Sequence, residues 1–397
     1  MKNKIELLSP AGDLDRLKVT LLYGADAVYI GGREYSLRAN ANNFSIEEIR
    51  EACSFAHALG KKVYLTLNIV FHNEDIFGVE DYIKDVVEAG IDAFIVSDPF
   101  IINYIKSNFK DVEVHLSTQG STTNIESVKF FKNEGIDRIV LARELSKDEI
   151  KNIIDKTHID IEVFIHGAMC TFYSGRCVLS NYITNRDSNR GGCAQICRFA
   201  FDKENCPNKF TFATKDLNMA HYIKDLIDIG VKSLKVEGRM RSLYYLATVI
   251  GTYRKIIDAC YENRLTDEFI NKQEDILNKV ANRETSSHYF IKEADHNDQY
   301  YTGRQELSNQ EFLGIVTNYD RGKKLLTLTE RNYFKVGDTV VLFTPSGKEF
   351  EFVVDNIYNE NMVDVGVARH PEEMINIYVD LDFDFEDFSM MRKKEEN

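Results

Sequence analysis

The strongest constraint on the fold is a repeated alternation: a short apolar run, then an amphipathic helical stretch that a glycine ends. Runs with strand character lie at 5–8, 27–30, 62–67, 93–96, 113–116, 138–141, 161–164 and 233–236. Their spacing, for the most part roughly 25 to 35 residues, is that of repeated beta-alpha units. One helix shows the grammar clearly. Ser45 stands at an N-cap with Glu48 in the capping-box position, and Ile46, Ile49, Cys53 and Ala56 share one face before Gly60 stops the run. Gly90, Gly135 and Gly230 repeat that stop just ahead of an apolar run, as C-cap glycines do.

Eight such units predict an α/β chain folded as a TIM-like (β/α)8 barrel, whose strands are buried on both faces and so read as continuous apolar runs. An open doubly wound sheet is the alternative, but no glycine-rich phosphate fingerprint follows any early strand. A ninth run at 210–213 has no place in a barrel of eight and is assigned to an insertion after the seventh strand. The expected barrel covers 1–285, with a cysteine-rich insertion at 166–210 and a polar linker at 286–308. A small β-barrel domain at 309–385 follows, built on runs at 312–317, 324–329, 339–343, 349–354, 362–367 and 375–379. The last segment, 386–397, reads as a charged and disordered tail.

The 397 residues, 44% of them hydrophobic, are enough to bury a large core. Met1 leads straight into the first strand, with no signal peptide and no apolar span of membrane length in view, which predicts a cytoplasmic protein without a membrane partner. In that reducing setting seven cysteines do not suggest a disulfide framework, and clustered ones point to metal or redox chemistry. A formal charge of −14 argues against a surface coated with phosphate-binding groups. The charge is uneven, however. Residues 170–241 carry twelve Lys and Arg against seven Asp and Glu, whereas 311–397 carry ten against eighteen. An anionic partner is therefore expected near the first of these segments.

Four of the cysteines, Cys170, Cys177, Cys193 and Cys197, fall within 28 residues of that segment. Thiolates bind soft metals and iron-sulfur clusters, and glycine-bearing loops let them converge. The intervals of six, fifteen and three residues match neither the paired knuckles of a zinc ribbon nor the tight cysteine triplets of ferredoxins. On chemistry alone an iron-sulfur cluster, a structural zinc, and buried or redox-active thiols all stay open. Cys170 lies six residues beyond the C-terminal end of the seventh expected strand, on the face where such barrels place their active sites.

The stretch Glu162-x-Phe164-x-x-Gly167-Ala168-Met169-Cys170-x4-Gly175-x-Cys177-x-Leu179-Ser180 resembles the signature of the peptidase U32 family, the collagenase-like peptidases. The likeness extends to Leu7-Leu-Ser-Pro-Ala-Gly12, to His115-Leu-Ser-Thr-Gln119 and to Lys235-Val-Glu-Gly-Arg239. The extension from Asn181 to Cys193 looks most like the branch of tRNA hydroxylation proteins that act on the wobble uridine. That branch implies a barrel followed by a small β domain, and prephenate-dependent conversion of the wobble uridine to 5-hydroxyuridine. It also implies an iron-sulfur cluster of the 4Fe-4S type on Cys170, Cys177, Cys193 and Cys197. The implied partners are tRNA, a small dicarboxylate co-substrate and a second family member. Alternatives are hydroxylation of a small aromatic ring such as a quinone precursor, a peptidase, or a zinc-stapled RNA-binding module. Proteolysis is the weaker reading, since the nine histidines show no His-Glu-x-x-His spacing and four clustered thiols suit a single activated nucleophile poorly.

Residues at strand ends supply the other candidates. His166, between the seventh strand and Cys170, is a candidate for proton transfer, or else for a hydrogen bond that holds the loop. Arg38, after the second strand, and Arg239, past the eighth, are candidate clamps for a carboxylate or phosphate, with loop salt bridges as the plain alternative. Glu237 and Glu162 pair with these arginines or with a substrate hydroxyl, or simply scaffold ion pairs. His115, Ser117 and Gln119 are binding groups or loop caps. Arg176, Arg186, Arg190 and Arg198 interleave with Phe172, Tyr173, Tyr182 and Phe199, a mixture suited to phosphate contact and base stacking, or to packing the loop. Cys53 and Cys260 read as small hydrophobes on helix faces, and Cys206 as a reserve ligand.

Overall fold

The structure, a computed structural model, describes residues 4–37, 43–202, 204, 210–281, 283–300 and 312–394. Seven strands come first: β1 (Glu6–Pro10), β2 (Ala27–Gly31), β3 (Lys62–Leu67), β4 (Ala93–Val96), β5 (Glu113–Leu116), β6 (Arg138–Val140) and β7 (Asp160–Gly167). After the cysteine-bearing insertion follow β8 (Asp216–Asn218), β9 (Ser233–Val236) and β10 (Thr285–Ser286). Each of β1 to β6 pairs in parallel with the next, and β9 pairs in parallel with both β7 and β1, which closes a ring of eight. This is the TIM-like barrel expected from the alternating units.

Period-two alternation decides what enters the ring. Leu7, Val28, Val63, Phe94, Val114, Ile139, Val163 and Leu234 point outward into the layer shared with the helices. Their neighbours Leu8, Tyr29, Tyr64 and Ile95 point inward, as do the charged Glu6, Arg138, Glu162 and Lys235, which hydrogen-bond one another across the lumen. The helix Ile46–Ala58 has the expected capping box on Ser45 and Glu48. Gly60, Gly90, Gly135 and Gly230 all take the positive φ that ends a helix without a Cβ clash.

Two strands escape the sequence pattern. β8 is short and polar, runs antiparallel to the tip of β7 with His166 opposite Asn218, and carries β10 on its other edge. The run at 210–213 is not a strand; Phe210 forms a single bridge with Phe201 inside the insertion. The described part of the expected linker is no free connection. Phe290 and Tyr300 are buried, and the Lys215 and Tyr300 amides donate to Asp298 O and Ala213 O at 2.9 and 2.8 Å, which fastens this segment onto the insertion.

The C-terminal strands are β11 (Phe312–Asp320), β12 (Leu325–Glu330), β13 (Phe334–Lys335), β14 (Thr339–Phe343), β15 (Glu349–Val353), β16 (Val367–Ala368), β17 (Met374–Tyr378) and β18 (Met390–Lys393). Six form an antiparallel sheet in the order β15-β14-β18-β11-β12-β17, and β13 pairs with β16. Here two expectations fail. The supposed disordered tail contains β18, a central strand with Met390 and Met391 fully buried; the charges around them had masked a two-residue apolar core. The run at 362–367 is mostly a turn, because the Asn359 side chain accepts from the amides of Asn361 and Val363 and leaves only Val367 and Ala368 to pair. This domain packs on the barrel's helices through Tyr244, stacked on Phe312 with ring centres 4.7 Å apart, and through Tyr23, whose hydroxyl donates to Phe388 O. Among the described residues no helix is long and apolar enough to cross a membrane.

Candidate active site

The lower lumen is a charged network. Glu162 is fully buried and accepts from Lys235 Nζ at 2.8 Å and from Arg138 Nη1 at 3.3 Å. Arg138 also donates to Glu6, which accepts from Ser233 Oγ at 2.8 Å and Tyr64 OH at 2.7 Å. Burial alone would raise the Glu162 pKa, but Lys235 and Arg138 outweigh it and hold the carboxyl well below its usual range. His115 belongs to this layer and not to the rim. Its ring lies edge-on to Tyr64 with Nε2 2.9 Å from Glu113 Oε2, and burial lowers its pKa.

Above this layer, at the C-terminal ends of the strands, a cleft is lined by Tyr29, Thr66, Asn68, Ser117, Gln119, Arg143, Phe164, Lys235, Glu237 and Arg239. Lys235 is its floor, with Nζ 4.4 Å from the centre of the Tyr29 ring. Arg239 is 5% exposed and donates to Ser36 Oγ at 2.8 Å and Thr66 Oγ1 at 3.3 Å. Two glycines make room for it: a Cβ on Gly31 would lie 1.9 Å from Arg239 Nη1, and one on Gly12 would lie 2.3 Å from Arg239 O. Glu237 Oε2 lies 3.4 Å from the Tyr29 hydroxyl. Asn68 reaches both Ser117 and Gln119, at 3.4 and 3.3 Å, so these polar groups form one connected rim. Arg239, Glu237, Ser117 and Gln119 thus share the cleft as expected candidates, while Arg38 lies outside the described residues. Arg143, Asn68 and Tyr29 were missed; each sits inside or just past a barrel strand, which is the signal that would have found them.

His166 is not among the cleft residues. A register shift in β7 sets Phe164 opposite Lys235 but His166 opposite Val236, so the histidine follows the outward-facing set. There its Nδ1 lies 3.1 Å from Tyr253 OH, and burial brings its pKa down to about 4. A neutral, buried ring bonded to a core tyrosine has the geometry of the plainer of the two roles expected for it.

The insertion is built to position thiols. Asn189 clasps Cys177 from both sides, accepting from its amide at 3.1 Å and donating to its carbonyl at 2.9 Å. The Leu179 amide donates to Cys177 Sγ at 3.3 Å. Burial pushes the Cys170 thiol up and the Cys197 thiol up to about 11. Each of these also feels the charge of Cys177 and Cys193, and Cys197 that of Cys170, so the four thiols lie within electrostatic reach of one another. Arg143 beside Cys170 and Arg198 beside Cys197 offset part of that rise. Among the described residues no three His, Cys, Asp or Glu side chains are drawn together as ligands of one ion. An all-thiol donor set suits a soft metal or an iron-sulfur cluster, and the described geometry does not choose between them. Cys53 is buried on its helix, Cys260 is half-buried, and Cys206 lies outside the described residues.

The chain belongs to the peptidase U32 family: residues 12–300 match the family's pattern, and residues 308–392 match that of the peptidase family U32 C-terminal domain. Among its relatives, tRNA hydroxylation protein P1 of Bacillus subtilis strain 168 is 44% identical over 393 residues, covering 95% of this chain and 92% of that protein. The tRNA hydroxylation protein P of Escherichia coli K12 is 34% identical, with 90% and 89% covered. The 23S rRNA 5-hydroxycytidine C2501 synthase of the same bacterium is 38% identical over 66% of this chain and 40% of its own length.

Proposed function

We propose that this protein is an RNA-modifying hydroxylase that converts the wobble uridine of tRNA to 5-hydroxyuridine, with an iron-sulfur cluster on Cys170, Cys177, Cys193 and Cys197 and prephenate, a dicarboxylate, as co-substrate. The observation that carries it is the stacking of two unlike sites: four thiols on one insertion, placed beside a cleft whose described lining holds Lys235, Arg239 and Arg143. The names of the relatives supply the reaction class.

Arg239 and Lys235 offer charge-assisted donors to two carboxylates of a small diacid. Asn68, Ser117 and Gln119 orient its neutral groups, and the rings of Tyr29 and Phe164 keep water from the reacting face. Glu237, beside the Tyr29 hydroxyl, holds a proton or a substrate hydroxyl at the rim. When bound, an iron-sulfur cluster supplies one-electron transfer. The family name suggests proteolysis, but among the described residues no hydrogen bond joins a cysteine to a histidine, as a thiol protease needs.

The test is mass spectrometry of nucleosides from digested tRNA of a deletion strain without a second family member. Loss of the hydroxylated wobble nucleoside, restored by the wild-type gene but not by Cys193→Ala/Cys197→Ala, is expected. An unchanged nucleoside profile refutes the reading. The same double variant, isolated anaerobically, is expected to lose iron and acid-labile sulfide.

A further inference from the structure

The insertion's outer face shows two kinds of arginine. Arg190 is tied down, donating to Val70 O at 2.9 Å and to both carboxylate oxygens of Asp75. Arg198 is half-buried and bonded to Gln195 Oε1 at 2.8 Å. Arg176 and Arg186 are exposed, and neither has an ion pair among the described residues. Exposed aromatic rings stand among them: Tyr173 at 53%, Tyr182 at 86% and Phe199 at 51%.

These side chains lie on one continuous stretch of chain, 173–199. The turn Tyr173–Gly175 rests on Thr118–Gly120, where a Cβ on Gly175 would lie 3.8 Å from Nε2 of the cleft residue Gln119. The short helix Leu179–Thr184, which carries Tyr182, packs on the turn Ile196–Arg198 and is pinned by the Ala194 amide donating to Ser180 Oγ at 3.1 Å. The side chains therefore belong to the same loops that hold the thiols, and one of these turns, Tyr173–Gly175, lies next to the cleft. A ring as exposed as Tyr182 has no packing reason to be aromatic. Arg176 and Arg186, exposed, close to it in sequence and without an ion pair among the described residues, mark in a chain of charge −14 a local exception that suits a polyanion.

We infer that this face is the docking surface for a single-stranded RNA loop, with Tyr182 as the platform on which one unpaired base stacks and Arg176 and Arg186 as phosphate contacts on either side. It rests on the RNA-hydroxylase reading and adds which surface receives the nucleic acid and why a loop, not a duplex, is chosen. Rings stack on bases that are already splayed, and base-paired RNA offers none.

The experiment measures binding and not hydroxylation, so that the two readings fail separately. Unmodified tRNA and an RNA duplex of equal length are titrated with the anaerobically isolated full-length protein and followed by fluorescence anisotropy over a range of salt. Tyr182→Ala is expected to weaken tRNA binding by about 5- to 150-fold, the factor a lost base stack corresponds to. Arg176→Gln and Arg186→Gln should each lower the slope of log affinity against log salt by about 1. Lys348→Ala, an exposed cation on the C-terminal domain, should change neither. Wild-type protein that prefers tRNA to duplex and loses that preference in Tyr182→Ala supports the inference. Equal tRNA binding by wild type and all variants overturns it, while the hydroxylase reading still stands on its nucleoside test. A wild type that binds no RNA also overturns it, and the nucleoside test then decides the hydroxylase reading.

Discussion

Replacing Glu162 with Gln tests whether the lumen network holds the cleft floor in place. The substitution keeps the shape and removes the charge. Arg138 keeps Glu6 as a partner, but Lys235 is left beside the rings of Tyr29 and Phe164, 4.4 and 5.5 Å away, as its remaining electrostatic neighbours. Removing one partner of a buried ion pair costs about 3–5 kcal/mol. The glutamine carbonyl still accepts from Lys235, which puts the expected loss near the lower end, about 3 kcal/mol. Lys235→Met alone leaves Glu162 paired with Arg138 and is expected to be milder. The double variant Glu162→Gln/Lys235→Met removes both charges, and its loss should fall short of the summed single losses by about 1–3 kcal/mol. The assay is urea unfolding followed by circular dichroism, comparing midpoints at constant slope. Additive losses would refute the argument, because they would mean that Lys235 does not depend on Glu162 and that the floor of the cleft is held by something else.

Three further outcomes follow from the geometry. His166 stays neutral in the native state down to about pH 4 while an unfolded histidine protonates near 6.5, so the unfolded chain binds the extra proton between those values and stability falls as pH drops through that window. That contribution is about 3 kcal/mol, and His166→Gln should flatten this part of a melting-temperature profile; a profile as steep as wild type would contradict the buried placement. Gly31→Ala puts a methyl where Arg239 Nη1 now lies and displaces a flexible guanidinium, so the fold should persist while, on the proposed reading, hydroxylation with limiting diacid drops by about 10²-fold. Unchanged steady-state kinetics would remove Arg239 from the cleft's work. Met391→Ala, in the strand at the C-terminal end, should cost about 2–5 kcal/mol, and no shift in the thermal melting of the protein would restore the disordered tail.

The barrel was legible because a parallel strand covered on both faces is an uninterrupted apolar run. Lys62–Leu67, Ala93–Val96, Glu113–Leu116 and Ser233–Val236 were read with their true ends for this reason. Asp216–Asn218 was not legible, since three residues with two polar side chains carry no period, and its pairing with His166 and Gly167 is set by the tertiary fold. His166 shows the limit most sharply. Counting by twos from Glu162 through Phe164 aims it into the mouth, and one register shift turns it to the outer layer. The converse holds for Lys235, whose place on the cleft floor follows from the same alternation but whose partner, Glu162, comes from a strand far away in sequence.

The acidity of the chain and its proposed RNA partner are reconciled by where the charges are spent. In the lumen Arg138 and Lys235 are matched by Glu6 and Glu162, and on the C-terminal domain Arg321, Lys324 and Arg331 sit against Asp382, Asp380 and Glu372. Such cations contribute little to the field beyond their partners, so net charge is a poor guide to what the protein attracts. What steers a polyanion is the unpaired remainder close to the reacting centre. Among the described residues of the insertion that remainder includes Arg176 and Arg186, on the same loops as the four thiols. On the reading proposed above, this loop would hold a redox centre and receive a base in one place, and the spaced cysteines and glycines that carry the family resemblance lie on it.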